Sequence, residues 1–161
     1  MSNTMLRYIE QRSAAEAFRW GFSSMETELK KKNSFSVFDF PPGSAAVVVI
    51  EQDGQLLAVS RRDNHADLGL PGGKIEPGES PITAACREAV EELEATVCNL
   101  MLASIAAVNG IAVFIYRAEL IGDLTERINS EGARVCWTSP HTICKGSFGK
   151  FNKQYVLPLL A

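Results

Sequence analysis

Hydrophobic positions along the chain change period several times, and each change marks an element. Ala14, Phe18, Phe22, Met25 and Leu29 recur at three- and four-residue steps, the spacing of one helical face. Ser13-Ala14-Ala15-Glu16 opens that stretch as a capping box, in which Ser and Glu satisfy free backbone N–H groups. Lys30-Lys31-Lys32 closes it, where cations suit the negative end of the helix dipole and read as a solvated helix end. The pattern predicts a helix over 13–32. It leaves open whether the apolar stripe covers the core, a second copy of the chain in a homodimer, or the active site.

Pro41-Pro42-Gly43 breaks the chain. Ala45 to Ile50 is then a continuous, mostly β-branched apolar run, the pattern of a buried strand. Asp53-Gly54 is a turn signal, and Gln55 to Ser60 reads as the second strand of a hairpin. Residues 61–79, rich in Asp, Asn, Gly and Pro, read as a loop. Ser80-Pro81 then supplies an N-cap and a first-turn proline for a helix reaching about Leu93. Within it Ile82, Cys86, Ala89 and Leu93 are predicted to face inward. Further strands are predicted around Val97–Ala107, Ile111–Ala118 and Val135–Thr138, with a C-terminal helix from Lys150 to Leu160 that Pro158 weakens near its end. The sum is a mixed α/β domain over 45–161, with a sheet between helices, preceded by an N-terminal extension over 1–44 with one amphipathic helix.

Composition narrows the function. A chain of 161 residues, 46% hydrophobic and 22% charged, has the make-up of an ordinary globular protein. No apolar run is long enough to span a membrane. Glu10, Arg12 and Glu16 precede any apolar stretch, so the N-terminus does not read as a signal peptide, and a cytoplasmic location is the expectation. The formal charge of −3 argues against non-specific binding to a nucleic-acid polymer; a polyanion would need something other than net charge to attract it, and a divalent cation could do so. Cys86, Cys98, Cys136 and Cys144 form no C-x-x-C pair and read as reduced, partly buried thiols. His65 and His141 read as exposed loop residues.

The candidate chemistry lies on the helix after Pro81. Glu88, Glu91 and Glu92 stand three and four residues apart, so their carboxylates can share a face. Acids gathered this closely repel one another unless a cation joins them, and hard oxygen ligands suit Mg²⁺ or Mn²⁺. Taken alone, such a face also reads as solvated surface. The preceding Leu70-Pro71-Gly72-Gly73-Lys74 alters that balance, because two glycines let backbone approach a ligand closely and Lys74 offers a cation to phosphate. Arg87 is placed to pair with Glu91, and Glu79 stands just before the helix.

Gly73, five residues, Glu79, seven residues, then Arg87-Glu88-Ala89-Val90-Glu91-Glu92 resembles the signature of the Nudix hydrolase family in every charged position and both long spacings. The signature's second glycine is replaced by Glu94, which bears on how the helix ends more than on the chemistry. From about Ala45 onward the chain is most similar to the MutT-like nucleoside triphosphate pyrophosphohydrolases. The resemblance implies an α/β/α sandwich with a mixed sheet between helices, and divalent-metal hydrolysis of a phosphoanhydride. The expected metal ligands are the Gly72 carbonyl, Glu88, Glu91, Glu92 and Glu131. The base that activates water is expected among Glu91, Glu88 and Glu131, with Arg87 holding the cluster.

Arg61, at the end of the second strand, resembles a phosphate-contacting arginine, and Lys74, Gly73 and Glu79 are expected beside the substrate. Asn152, in Phe148-Gly149-Lys150-Phe151-Asn152, resembles an asparagine that reads a purine base. Each also has a plainer reading: Arg61 as a solvated strand-end charge, Glu131 as a loop residue, Asn152 as a helix cap, Trp137 and Phe148 as core. The implied substrate is a (deoxy)nucleoside triphosphate, including oxidised purine nucleotides. Markers of other branches are missing: Asn109 stands where ADP-ribose hydrolases carry a proline, and Gly110-Ile111-Ala112 occupies the region of a tyrosine typical of dinucleoside polyphosphate hydrolases. Hydrolysis of ADP-ribose or another nucleoside diphosphate derivative, and nucleotide binding without cleavage, are the alternatives.

Overall fold

The computed structural model of the protein describes residues 40–160. The helix expected over 13–32 lies outside the described residues. The chain forms a mixed sheet of eight strands: β1 Ala45–Gln52, β2 Gln55–Ser60, β3 Leu68–Gly69, β4 Gly72–Lys74, β5 Val97–Val108, β6 Ile111–Leu120, β7 Arg127–Ile128 and β8 Arg134–Thr138. Helix α1 spans Pro81–Leu93, α2 Pro140–Ile143 and α3 Gly149–Phe151. The main path runs β5-β6-β1-β2-β8-β7; β1 and β6 are parallel and the other pairs antiparallel.

Strand periodicity divides the core into two layers. Val49 of β1, Leu56 and Ala58 of β2, and Val113 and Ile115 of β6 join Ile143, Cys144 and Val156 in one buried cluster under the C-terminal segment. The alternate residues Ala46, Val48, Ile50, Leu57, Phe114 and Tyr116 are also buried, on the face toward α1. A sheet covered on both faces explains why β1 is a continuous apolar run rather than an alternating one.

Helix α1 is seated by small residues. Pro81, Ala84, Ala85, Ala89 and Leu93 are its buried positions. The expected inward face was out of phase by about a quarter turn at its start: Ile82 is 44% exposed and Cys86 is exposed, while Ala85 takes the inward place. Alanines let the helix axis approach β1 and β4 closely, a requirement that hydrophobicity alone does not reveal. The Ser80 hydroxyl caps the helix as its sequence implied, accepting from the Thr83 N–H at 3.2 Å.

Two other expectations change. The supposed loop 61–79 contains β3 and β4, and together they open the site. Only the hairpin end joins β1 to β2, at Glu51↔Leu56 and Gln52↔Gln55. Beyond it the two strands part, β3 pairing with β2 and β4 with β1. Leu70 and Pro71 cross the gap. The C-terminal helix is real but irregular: α3 gives way to a π turn over Asn152–Val156 and a 3-10 turn over Leu157–Leu159, the latter holding Pro158, which has no N–H to donate. All four cysteines are free, two of them buried. Among the described residues no helix is long and apolar enough to cross a membrane.

Candidate active site

The gap between β1 and β2 opens into a cleft of about 350 Å³. One wall is β4 with helix α1. Gly72 has φ +152°, and a side chain there would run into the Val47 Cα at 2.6 Å. A Cβ on Gly73 would overlap the Glu88 carboxylate. Gly72 is therefore required by close approach to backbone, while a side chain at Gly73 would displace the Glu88 carboxylate. The Gly72 N–H donates to Glu92 Oε2 at 2.8 Å, joining the loop to the helix.

Arg87 organises the acids around it. Its Nε and Nη2 donate to the two oxygens of Glu79, each at 3.0 Å, while Nη1 donates to Glu88 at 2.7 Å and Glu91 at 3.2 Å. Nη2 also reaches the Lys74 carbonyl at 3.0 Å. The acceptors around it, Glu79 foremost, raise the guanidinium's proton affinity far above its ordinary value. The same bonds hold the Glu79 carboxyl below the usual carboxylate range. Both Glu79 oxygens thus face Arg87, and Glu79 does not line the cleft.

The three helix acids share one side of α1, with Glu88 and Glu91 both accepting from Arg87 Nη1. Glu88 and Glu92, one turn apart, face the glycine loop; Glu91, about 60° round the helix from Glu88 and about 100° from Glu92, is 53% exposed. Glu92 carries the cost of the arrangement. Burial pushes its carboxyl up to about 7; the Gly72 N–H opposes this, while the Glu88 and Glu131 charges add to it and Arg62 offsets part. Among the described residues no three acidic, histidine or cysteine side chains already form a metal cage. The donor chemistry fits a hard divalent cation: carboxylates with a shared excess of negative charge beside backbone freed of side chains.

The opposite wall comes from β2, the loop after it, and the turn between β7 and β8. Arg61 and Arg62 line the cleft, both largely exposed. Arg61 touches Asp63 at 3.4 Å, and Arg62 pairs with Glu131. Glu131 and Glu92 both line the cleft. Phe148 is 59% exposed at its rim and is not part of the core, as its type had suggested. It sits on the segment that Asp67 fastens, accepting from the Ser147 N–H at 2.8 Å and from the Ser147 hydroxyl.

The structure therefore brings Gly72, Glu92, Glu131 and Arg61 to one cleft, with Glu88, Glu91, Arg87 and Gly73 on the adjoining face of α1 and β4. Lys74 and Asn152 are not in the cleft lining. Asn152 is 1% exposed and its Nδ2 donates to the Ile143 carbonyl at 2.8 Å, so its amide ties the C-terminal segment to α2. Sequence reasoning passed over Arg62, Asp67 and Asn129. The Asn129 side chain donates to the Glu92 carbonyl and accepts from the Glu131 and Ala133 N–H groups, and its only signal was the turn-forming run Asn129-Ser130-Glu131-Gly132.

The chain is 36% identical over 102 residues to a MutT-like protein of Streptomyces ambofaciens, covering 62% of this chain and 65% of that one. It is 46% identical over 48 residues to a Bacillus subtilis (strain 168) protein named "Putative 8-oxo-dGTP diphosphatase", covering 30% and 32%. The matches thus span less than two thirds of either relative. A solved structure from work on MutT of Aliivibrio salmonicida and Vibrio cholerae shares the fold, with a TM-score of 0.59 at 19% identity over 74% of this chain and 96% of that one. Residues 40–160 match the NUDIX domain, and with three quarters of its length in that match the chain belongs to the Nudix family.

Proposed function

We propose that the protein is a divalent-metal-dependent pyrophosphohydrolase that converts a (deoxy)nucleoside triphosphate to the monophosphate and pyrophosphate, with oxidised purine nucleotides among its substrates. The observation that carries this is the pair Glu92 and Glu131 in a cleft that also presents two arginines and an exposed aromatic ring. Nudix membership implies a divalent metal in general; Mg²⁺ is the assignment the all-oxygen donors favour, with Mn²⁺ as substitute. Glu88, Glu91, Glu92 and the Gly72 carbonyl would hold it, with Glu131 completing the set or acting beside it. When bound, it neutralises phosphate charge and polarises the anhydride.

The chain's own groups do the rest. Arg61 and Arg62 bind non-bridging phosphate oxygens, which their exposure at the strand end allows. Arg87 keeps Glu88 and Glu91 oriented while Glu79 keeps Arg87 in place. All three candidate bases are paired with an arginine, Glu88 and Glu91 with Arg87 and Glu131 with Arg62; Glu131 is the one that lines the cleft, and it takes the proton of the attacking water. The water oxygen bonds to one phosphorus of the α–β anhydride, the bridging P–O bond to that phosphorus breaks, and the monophosphate and pyrophosphate separate, the one not attacked keeping the bridging oxygen. Phe148 receives the base by stacking, the place first given to Asn152. The names of the Streptomyces and Bacillus relatives support the nucleotide class.

The test is product release from a panel of common and oxidised nucleoside triphosphates, ADP-ribose and a dinucleoside polyphosphate, with Mg²⁺ and a Glu92→Gln control. The expected result is pyrophosphate from a triphosphate, reduced at least about 100-fold in the variant. Turnover of ADP-ribose alone would replace the substrate class. Binding of nucleotide without cleavage would replace the enzyme with a regulator.

A further inference from the structure

Glu94 stands where the Nudix signature has its second glycine, and the structure explains what the substitution adds. Helix α1 still ends there: Glu94 adopts the left-handed conformation, φ 48° and ψ 40°, and its N–H closes the last turn on the Val90 carbonyl. Glycine takes this conformation freely, whereas any side chain adopts it at a cost in backbone strain. The side chain has a use that offsets that cost. Its Oε1 accepts from the Ser130 N–H at 2.6 Å, and its Oε2 lies 3.8 Å from Arg127 Nε, a buried donor with no hydrogen-bond partner.

Ser130 precedes Glu131 in a turn built on α1. Arg127 donates to the Leu93 and Glu94 carbonyls, and Asn129 Nδ2 to that of Glu92 at 2.8 Å, so the last carbonyls of α1 are capped by the β7 side of this turn. Asn129 Oδ1 and the 3.0 Å bond from Gly132 N to Asn129 O close the turn on itself. His65 Nε2 meets the Gly132 carbonyl at 3.0 Å from the opposite loop. The only side-chain carboxylate that fixes the turn's backbone is that of Glu94 among the described residues.

We infer that Glu94 is a positioning residue: by fastening the Ser130 N–H to the end of α1 it sets where Glu131 stands relative to Glu92. The inference deepens the function proposed above and rests on its use of Glu131. Restoring the signature glycine removes strain and anchor together, which separates positioning from stability.

The experiment compares Glu94→Gly, Glu94→Ala and Glu94→Gln with the unaltered chain, alone and with Glu131→Gln. Three quantities are read: kcat/KM, Mn²⁺ affinity by calorimetry without nucleotide, and amide exchange at Ser130 and Glu131. Glu94→Gly should melt no lower than Glu94→Ala, yet lose about tenfold in kcat/KM, bind Mn²⁺ several-fold more weakly, and exchange the two amides at least about tenfold faster. Glu94→Gln, which keeps an accepting oxygen, should stay within about twofold. On the Glu131→Gln background, Glu94→Gly should add little. Unchanged kcat/KM and Mn²⁺ affinity in Glu94→Gly overturn the inference, as does a full-size loss on the Glu131→Gln background. If the unaltered protein cleaves no nucleotide, the proposed function fails, and the affinity and exchange measurements still decide the role of Glu94.

Discussion

The two walls of the cleft are built differently. On the α1 and β4 wall each acid has at least one fixed partner: Arg87 alone holds Glu79, Glu88 and Glu91, and Glu92 is tied to Gly72. The elements there are close in sequence, within residues 72–93. On the facing wall, Arg61 and Arg62 are more than half exposed, and Phe148 presents its ring to solvent. Those groups come from two segments far apart in sequence. A wall that handles the metal and the reacting phosphorus gains from preorganisation, since groups already in place need no reordering in the transition state. A wall that receives the rest of the nucleotide gains from reach and adaptability.

Damage to the first wall should therefore appear in kcat, and damage to Arg61, Arg62 or Phe148 on the second in KM, while Glu131, the one acid on the second wall, belongs with the chemistry. The largest expected effect is Arg87→Lys. Lysine cannot reproduce the fork that grips both oxygens of Glu79 while holding Glu88, so kcat should fall about 10- to 100-fold with the charge conserved. Steady-state kinetics at saturating Mg²⁺ measure it, and a change confined to KM would break the comparison. Next is Phe148→Ala, with an expected rise in KM of about tenfold at nearly constant kcat, in keeping with the worth of one stacked base. A loss of kcat alone would place Phe148 in the chemistry instead.

The smallest effect sharpens the account of the first wall. Arg87 lowers the Glu79 carboxyl below its ordinary value, so the folded protein stays ionised there after the unfolded chain has taken up a proton. That contribution to stability is complete above the unfolded value of about 4.5 and disappears as pH falls through the lower folded value. Glu79→Gln should therefore melt roughly 5 °C below the unaltered protein near neutral pH, and the gap should narrow toward pH 3. A gap constant with pH would show that Glu79 contributes by packing rather than by charge.

The hairpin, the strands β5, β6 and β8, and the capped start of α1 were legible in the sequence because each is set by local pattern: a β-branched run, a turn dipeptide, a Ser-Pro N-cap. The acidic site was legible for the same reason, its carboxylates and glycines lying within one short stretch. Misreadings fell where burial depends on a distant partner. Ile82 has the hydrophobicity of a core residue, yet alanines at 84, 85 and 89 are what the sheet accepts. Strands β3 and β4, two and three residues long, carry no periodicity and exist only because β2 and β1 offer edges to pair with.

The exchange between Asn152 and Phe148 shows the limit most clearly. By residue type the amide belongs in a polar site and the ring in the core. The Ile143 carbonyl needed a buried donor, and Asp67 holds the Ser147 segment so that the ring faces the cleft. The sequence by itself determined the α/β class, the Nudix signature and the acidic, oxygen-rich character of the site, since these rest on residue type and short spacing. Only the tertiary structure decided which acids face the cleft, which aromatic lines it, and how Glu94 ties the Glu131 turn to the end of α1, because those depend on contacts across 30 to 80 residues of chain.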